Sequence, residues 1–339
     1  MSARRPRIAV LLGDPAGVGP EMGVKLLAER ANADAADLLL IAPRSTLARG
    51  ERIAGAVLET LEITAPGPLR FESGRVTHWV QPEPEGGEPA LGACSEAAGA
   101  VALRAVTQAT DLARDREIDA IVFAPLNKHS LRMAGMTEED ELRYMQARFG
   151  VTSFTCEFNI TGTLWTSRVT SHVPVRDVAD LITPQAVADA VHIIDGALRR
   201  AGIARPRIAV SGLNPHAGDG GSIGREEIEV IAPTVERLRG EGLDASGPWS
   251  PDTVFIAARR GDFDAVVSMY HDQGQIAMKL LGFEQGVTLH GGLPVPVATS
   301  ASGSAFDIAG KGLARVGGLQ HAFDLCVRMA AQELRSTHS

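Results

Sequence analysis

The chain has 339 residues, 45% of them hydrophobic and 22% charged, an ordinary globular composition with enough length for a two-lobed molecule or one large α/β unit. Its formal net charge of −8, with no run of Lys or Arg, argues against a nucleic-acid partner. Cys94, Cys156 and Cys326 lie far apart and form neither a CxxC pair nor a disulfide framework, and the first apolar run is too short for a signal core or a membrane span, so a cytoplasmic protein with no membrane partner is expected.

The apolar run at 7–12 predicts a first buried strand. Residues 20–31 follow as a helix with Pro20 at its start, where a missing N–H is harmless. A strand at 38–42 and a helix at 45–54 come next. The Pro/Gly/Glu-rich stretch 81–92 reads as a surface excursion. Residues 95–113 form a long Ala-rich helix, and 120–124 a buried strand. A long amphipathic helix is expected at 183–200, strands at 208–212 and 265–269, and a closing helix at 317–334. Strands alternating with helices predict an α/β fold with parallel sheets covered on both faces, arranged as two α/β/α lobes with a cleft. The expected lobes are residues 1–130 with 300–339, and 131–299.

Gly13-Asp14-Pro15-Ala16-Gly17-Val18-Gly19-Pro20-Glu21 connects the first strand to the first helix. Its glycines and prolines force a tight turn at a strand's carboxyl end, where open α/β sheets bind ligands. A plain strand-to-helix connection explains the same residues. There is no GxxxxGK[ST] loop and no GxGxxG turn between the first strand and the first helix, so no cofactor follows from glycines alone.

Three histidines each lie just beyond a predicted strand. His172 follows the β-rich stretch 164–170, His216 sits in LNPHAGDGG, and His271 sits in YHDQG. Any one of them alone is more readily read as a hydrogen-bonded structural residue. Three in the same topological place form a candidate ligand set, because imidazole binds zinc and similar metals and three protein ligands leave a position open for substrate. Asp252 and Asp272 are candidate carboxylates to orient a ligating imidazole; Asp252 could instead serve as a helix N-terminal charge. Lys128 follows the strand at 120–124. Lys279 follows His271 by two helical turns and so can share its face. Either lysine could hold an anion or act as acid/base, or be simply solvated.

These motifs, in the order GDPAGVGPE, APLNK, SHVPVRDV, LNPHAGDGG, GPWSPDTVF, YHDQG and GSAFDIAGKG, resemble the 4-hydroxythreonine-4-phosphate dehydrogenase (PdxA) family over nearly the whole chain. The resemblance implies a fold related to isocitrate and isopropylmalate dehydrogenases. It also implies a homodimer with its active site at the subunit interface, and NAD or NADP with one divalent metal (Zn, or Mg, Mn or Co) as cofactors. His172, His216 and His271 are the implied metal ligands, with His271 supplied by the other subunit. The implied reaction oxidises a secondary alcohol near a carboxylate and then decarboxylates the keto acid. The implied nicotinamide pocket draws on Gly13, Gly291, Gly292, Ser302, Gly303 and Asp307.

The chain departs from the family where phosphate is recognised. The family's Gly-His-Thr-Glu becomes Asp140-Glu141-Leu142-Arg143, a conserved Asn becomes Thr288, and the phosphate-binding Arg becomes Val297. Glu141, Arg143 and Thr288 are therefore the expected substrate contacts. The expected substrate is a non-phosphorylated hydroxy acid or dihydrodiol carboxylate. The rival is the vitamin B6 step itself, on the 4-phosphorylated hydroxythreonine. From another class, a phosphate acyltransferase-like enzyme or a non-catalytic ligand-binding relative would share the fold, but neither needs three metal-binding histidines.

Overall fold

The computed structural model describes residues 4–64, 69–282 and 285–336. Its strands, in chain order, are β1 (Arg7–Leu11), β2 (Asp37–Pro43), β3 (Thr60–Ile63), β4 (Val76–Gln81), β5 (Ala120–Phe123), β6 (Cys156–Thr161), β7 (Leu164–Arg168), β8 (Arg207–Ser211), β9 (Asp244–Trp249), β10 (Ala265–Ser268), β11 (Val287–Gly291) and β12 (Val297–Ser300). The chain divides into two compact units, Met1–Thr152 with Leu293–Ser339, and Ser153–Gly292. The expected α/β class is what the structure has.

In the first unit the strand order is β3-β4-β2-β1-β5-β12, and every pairing is parallel. β1, β2 and β5 read as continuous apolar runs because both faces are covered. Ala9, Leu11, Leu39, Ile41, Ile121 and Phe123 pack against Ala105, Val106 and Ala109 of the helix Glu96–Arg114. Ser95 caps that helix, its side chain accepting the Ala98 N–H at 3.1 Å. The helix Glu141–Phe149 adds Leu142 and Met145 to the same core. That packing carries the unit's boundary to residue 152, where the sequence expectation put it at 130. Likewise Leu293 and Val297 belong to this core, so the chain returns to the unit at 293 instead of 300.

The helix expected at 20–31 divides into Gly19–Ala28 and Arg30–Ala35. Glu29 is extended between them, and the Leu26 carbonyl accepts both the Glu29 N–H at 3.3 Å and Asn32 Nδ2 at 2.8 Å.

In the second unit the order is β11-β6-β7-β10-β8-β9. β7, β10, β8 and β9 run parallel, but β6 pairs antiparallel with both β7 and β11. The expectation of purely parallel sheets fails here because β6 and β7 are joined by a two-residue connection, which only an antiparallel pair allows. The unit's apolar packing joins Leu164, Ala209 and Val266 to Val254, Phe255, Ala258 and Met278. Among the described residues no helix is long and apolar enough to cross a membrane. Cys94, Cys156 and Cys326 are free thiols.

Candidate active site

β7, β10 and β8 are neighbours and parallel, so their carboxyl ends share one edge of the second unit's sheet. The segments leaving that edge carry His172, His271 and His216 respectively. Beyond β7 the chain stays zipped to the β10 strand: Val169 N–H donates to the Ser268 carbonyl at 2.9 Å, and the Thr170 N–H and hydroxyl both donate to the Met269 carbonyl at 3.1 and 2.8 Å. This pairing brings the His172 and His271 rings to a centroid distance of 5.5 Å within one chain. The buried Arg168 adds support, its Nε donating to the Ser171 hydroxyl at 3.0 Å beside His172.

His271 opens the helix His271–Gly282 and holds Asp272 Oδ1 through Nδ1 at 2.6 Å. A carboxylate on Nδ1 leaves Nε2 as the outward ligand atom. Gln273 joins the two neighbouring strand ends: its Oε1 accepts the Met269 N–H at 2.7 Å and its Nε2 donates to the Gly212 carbonyl at 2.9 Å. His216 is exposed, on a loop whose backbone is left-handed from His216 to Gly220. Asp252 lies within its electrostatic reach. The Ser250 hydroxyl, donating at 2.6 Å, holds the Asp252 carboxyl below its usual range, and the charge of His216 acts in the same direction. Asp252 does not cap the helix Val254–Arg259.

Two neighbouring imidazoles, one tied to a carboxylate, are a donor chemistry that fits a divalent metal. The three histidines do not close to a common set of ligand atoms within 4.8 Å of one another in a single chain. His172 and His271 are the close pair here, whereas the resemblance would bring His271 from a second subunit. Lys279 is exposed two turns after His271 on the same helix. Thr288, on β11, is opposite Asn159 of β6.

In the first unit, the carboxyl ends of β1, β5 and β12 also share one edge, and three sequence motifs interlock there. Asp14 N–H donates to the Pro125 carbonyl at 3.0 Å, Val18 N–H donates to the Ser304 carbonyl at 3.0 Å, and the Ser304 hydroxyl donates to the Leu126 carbonyl at 3.2 Å. Gly13 has φ +67°, and a Cβ on it would stand 2.4 Å from the Ala124 carbonyl oxygen. Asp14 is buried; one oxygen accepts the Ala16 N–H at 2.8 Å and the other has no hydrogen bond. Burial pushes its carboxyl above the ordinary value, against the pull of Ala16 and Ser130.

The stretch 81–92 is the surface excursion expected, and it is tied down. The buried Arg49 donates to the Pro15 and Pro89 carbonyls at 2.9 and 2.7 Å, and Gly92 N–H donates to the Ala16 carbonyl at 2.8 Å, so the stretch is laced to the Gly13–Gly19 turn.

Lys128 opens the helix Lys128–Met133, exposed, with Nζ 3.9 Å from Asp140. Asp140 caps the helix Glu141–Phe149 by accepting the Arg143 N–H at 2.9 Å. Glu141 is half-buried, with Oε2 lacking a hydrogen bond, and Arg143 donates to Gln146 at 2.7 Å. Leu142 and Val297 are core residues, at 2% and 0% exposure.

The predicted cofactor glycines divide by cause. A Cβ on Gly291 would lie 2.3 Å from the Phe158 ring, and one on Gly292, with φ +86°, 2.7 Å from the Phe154 carbonyl oxygen, so packing and turn geometry require both. Gly303 has nothing within 4 Å of a built Cβ. Ser302 is half-buried beside it, its hydroxyl 2.8 Å from that of Ser300, and Asp307 is exposed.

Sequence reading missed Gln273 and Glu227. Glu227 had a signal: it occupies the buried stripe that continues through Ile231, Val235 and Leu238, where a carboxylate is out of place.

Residues 34–326 match the family model described as "Pyridoxal phosphate biosynthetic protein PdxA". A "Putative 4-hydroxythreonine-4-phosphate dehydrogenase 2" of Pseudomonas aeruginosa is 48% identical, covering 96% of this chain and 97% of its own length. A "D-threonate 4-phosphate dehydrogenase" of Cupriavidus necator is 41% identical, covering 93% and 94%. The crystal structure of a 4-hydroxythreonine-4-phosphate dehydrogenase from Klebsiella pneumoniae superposes with a TM-score of 0.84 at 36% identity, covering 97% of this chain and 99% of that one.

Proposed function

Because the chain belongs to the PdxA family, we propose that it is a nicotinamide- and divalent-metal-dependent dehydrogenase that oxidises a secondary alcohol of a small phosphorylated hydroxy acid. The observation that carries this reading is the placement of His172, His271 and His216 at the carboxyl ends of three adjacent parallel strands. A metal bound there supplies Lewis acidity toward the substrate's hydroxyl and carbonyl oxygens. Zn, Mg, Mn and Co all suit the reading. Asp272 and Asp252 orient His271 and His216. Lys279 or Lys128 takes the hydroxyl proton or holds the substrate's anionic group. Gly13, Ser302, Gly303 and Asp307 would hold NAD or NADP, which would supply the hydride acceptor. A ketone formed β to a carboxylate then loses carbon dioxide readily.

The substrate class rests on the full-length relatives, whose names specify phosphorylated compounds. The departures at Leu142 and Val297 weigh less against phosphate than the sequence alone suggests. Both side chains pack in the core, so their apolar character answers to packing. Lys128 and Arg143 remain as cations near the Asp140 turn. A non-phosphorylated hydroxy acid or dihydrodiol carboxylate is the second reading, favoured by Glu141, whose charge would oppose a phosphate. A homodimer is part of the proposal, and the exposed Ile276 and Leu280 on the helix after His271 support it. A cytoplasmic location goes with it.

The test is steady-state kinetics of metal-loaded protein with NAD and NADP. The substrates are 4-phosphohydroxythreonine, D-threonate 4-phosphate, their dephosphorylated forms and a cis-dihydrodiol carboxylate. A kcat/KM of about 10⁴ M⁻¹s⁻¹ or more on a phosphorylated compound, with strong preference over its dephosphorylated form, is expected. The reverse preference selects the second reading, and no nicotinamide-linked turnover of any compound overturns both.

A further inference from the structure

The segment between β8 and the helical stretch Glu227–Ile231 carries His216 along a backbone path that few sequences tolerate. His216, Ala217 and Asp219 have φ of 54, 53 and 44°, and the glycines between and after them, Gly218 and Gly220, have 80 and 65°. Side chains with a Cβ are disfavoured in this left-handed region, and such runs persist only where their surroundings over-determine them.

One buried carboxylate does so. Glu227 is 2% exposed. Its Oε1 accepts the backbone N–H groups of Leu213 and Asn214, both at 2.7 Å, and its Oε2 accepts Asn214 Nδ2 at 2.9 Å. Among the described residues these partners are all neutral donors. Short bonds to an ionised acceptor are the strong kind. The same carboxylate is the floor of the loop: a Cβ on Gly212 would stand 3.0 Å from Oε1, and one on Gly218 would stand 2.7 Å from Oε2. Asn214 is fixed from the other side as well, its Nδ2 donating to Glu226 Oε2 at 2.7 Å. Two backbone donors and one side-chain donor therefore define the start of the loop, and Gly218 is pressed onto the carboxylate two residues past His216.

We propose that Glu227 is the positioning residue that sets His216 in its ligating pose, so that metal affinity depends on a carboxylate buried beneath the loop. The inference rests on the metal reading of the three histidines. Glu227→Gln isolates it. The amide keeps the size and one acceptor oxygen, but places an NH₂ group against Asn214 Nδ2. An Asn214 flip would relieve that clash only by turning Oδ1 toward the Glu226 carboxylate.

The test is Co(II) titration of the metal-free protein, read by visible absorption against a competing chelator, with circular dichroism and thermal unfolding of the same metal-free samples. E227Q is expected to keep the wild-type dichroism and to unfold within a few degrees of wild type. It is expected to bind Co(II) about 10–100-fold more weakly, with an altered ligand-field band. If E227Q does not fold, Gly218→Ala decides instead, since its methyl drives the loop off Oε2 with Glu227 intact; the same loss of Co(II) affinity is expected. Wild-type Co(II) affinity and spectrum in whichever folded variant decides overturns the proposal. His216→Ala separates this failure from that of the metal reading. If His216→Ala binds Co(II) like wild type, or wild type binds none, the metal reading falls and this inference with it.

Discussion

Gly17 offers the sharpest test of the interlocked edge in the first unit. A Cβ built on it stands 2.6 Å from the Ser304 backbone oxygen and 3.0 Å from Ser304 Cβ, against at least 3.4 Å for ordinary contact. Gly17 does not have the positive φ that would itself exclude alanine. Gly17→Ala therefore isolates close approach: the methyl must push the turn after β1 away from the segment after β12, and the neighbouring Val18–Ser304 hydrogen bond of 3.0 Å is strained with it. The obstructing atom is backbone, which cannot swing aside. Overpacking of this kind costs about 1–3 kcal/mol. In a unit of this size that is about 2–12 °C in Tm. Gly303→Ala is the matched control, because nothing lies within 4 Å of its Cβ. It should unfold like wild type yet raise KM for the nicotinamide cofactor, as the added methyl takes space the cofactor needs. Differential scanning calorimetry and cofactor KM are measured on both variants. A wild-type Tm for G17A would refute the close-packing argument. A wild-type cofactor KM for G303A would remove this edge from the cofactor site.

Replacing His172, His216 or His271 singly with Ala should weaken divalent-metal binding in isothermal titration; retention of wild-type affinity by two of the three variants rejects the ligand set. Lys279→Ala or Lys128→Ala, whichever is the acid/base, should lower kcat by about 10²–10⁴-fold with an unchanged Tm, and wild-type rates in both would remove the lysines from the mechanism. Asp14 gives a pH dependence. Burial raises its folded-state pKa, so the folded protein binds this proton more tightly than the unfolded chain does. Stability from this group is thus present below the unfolded value of about 3.9, is lost as pH rises through the raised folded value, and stays lost above it. Asp14→Asn should therefore gain in Tm relative to wild type as pH is raised from 4 to 8, and a pH-independent difference would show that the desolvated charge is not the cause.

Sequence periodicity located the elements whose signal is local. The expected strands at 7–12, 38–42 and 120–124 match β1, β2 and β5 to within a residue, and these are buried on both faces, so they read as plain apolar runs. The long helices carry apolar stripes with Ser95 and Thr183 as side-chain caps. β4 was missed because its interior positions include Thr77 and His78, and His78 is tolerated there by its 2.9 Å contact to the Ala42 carbonyl. β6 was missed although Cys156–Thr161 alternates buried and half-buried positions, a period-two signal in a segment that apolar content alone does not mark. The parallel β7, β10 and β8 could be inferred from the pattern of apolar runs ending in histidine. The antiparallel β11-β6 pairing could not, since neither segment reads as a plain apolar run and no local turn joins them.

The candidate site was legible to the extent that its chemistry sits on the residues themselves. Histidines past strand ends announce a ligand set, because imidazole has few reasons to recur at one topological position. Among the groups around those histidines, Asp272 and Glu227 leave a mark in the sequence and Gln273 leaves none. Gln273 matters because Met269 and Gly212 happen to present a donor and an acceptor to its two ends, and that depends on β10 and β8 being neighbours. Glycines show the same limit from the other side. Gly291 and Gly303 look equivalent in sequence, yet one is demanded by the Phe158 ring and the other by nothing in the chain. A glycine required by neighbouring atoms says how the chain packs. A glycine with open space above it and no positive φ, as at Gly303 and equally at Gly196, Gly240 and Gly317, is not explained by packing within the chain, so Gly303 rather than Gly291 is where the cofactor reading is exposed to refutation.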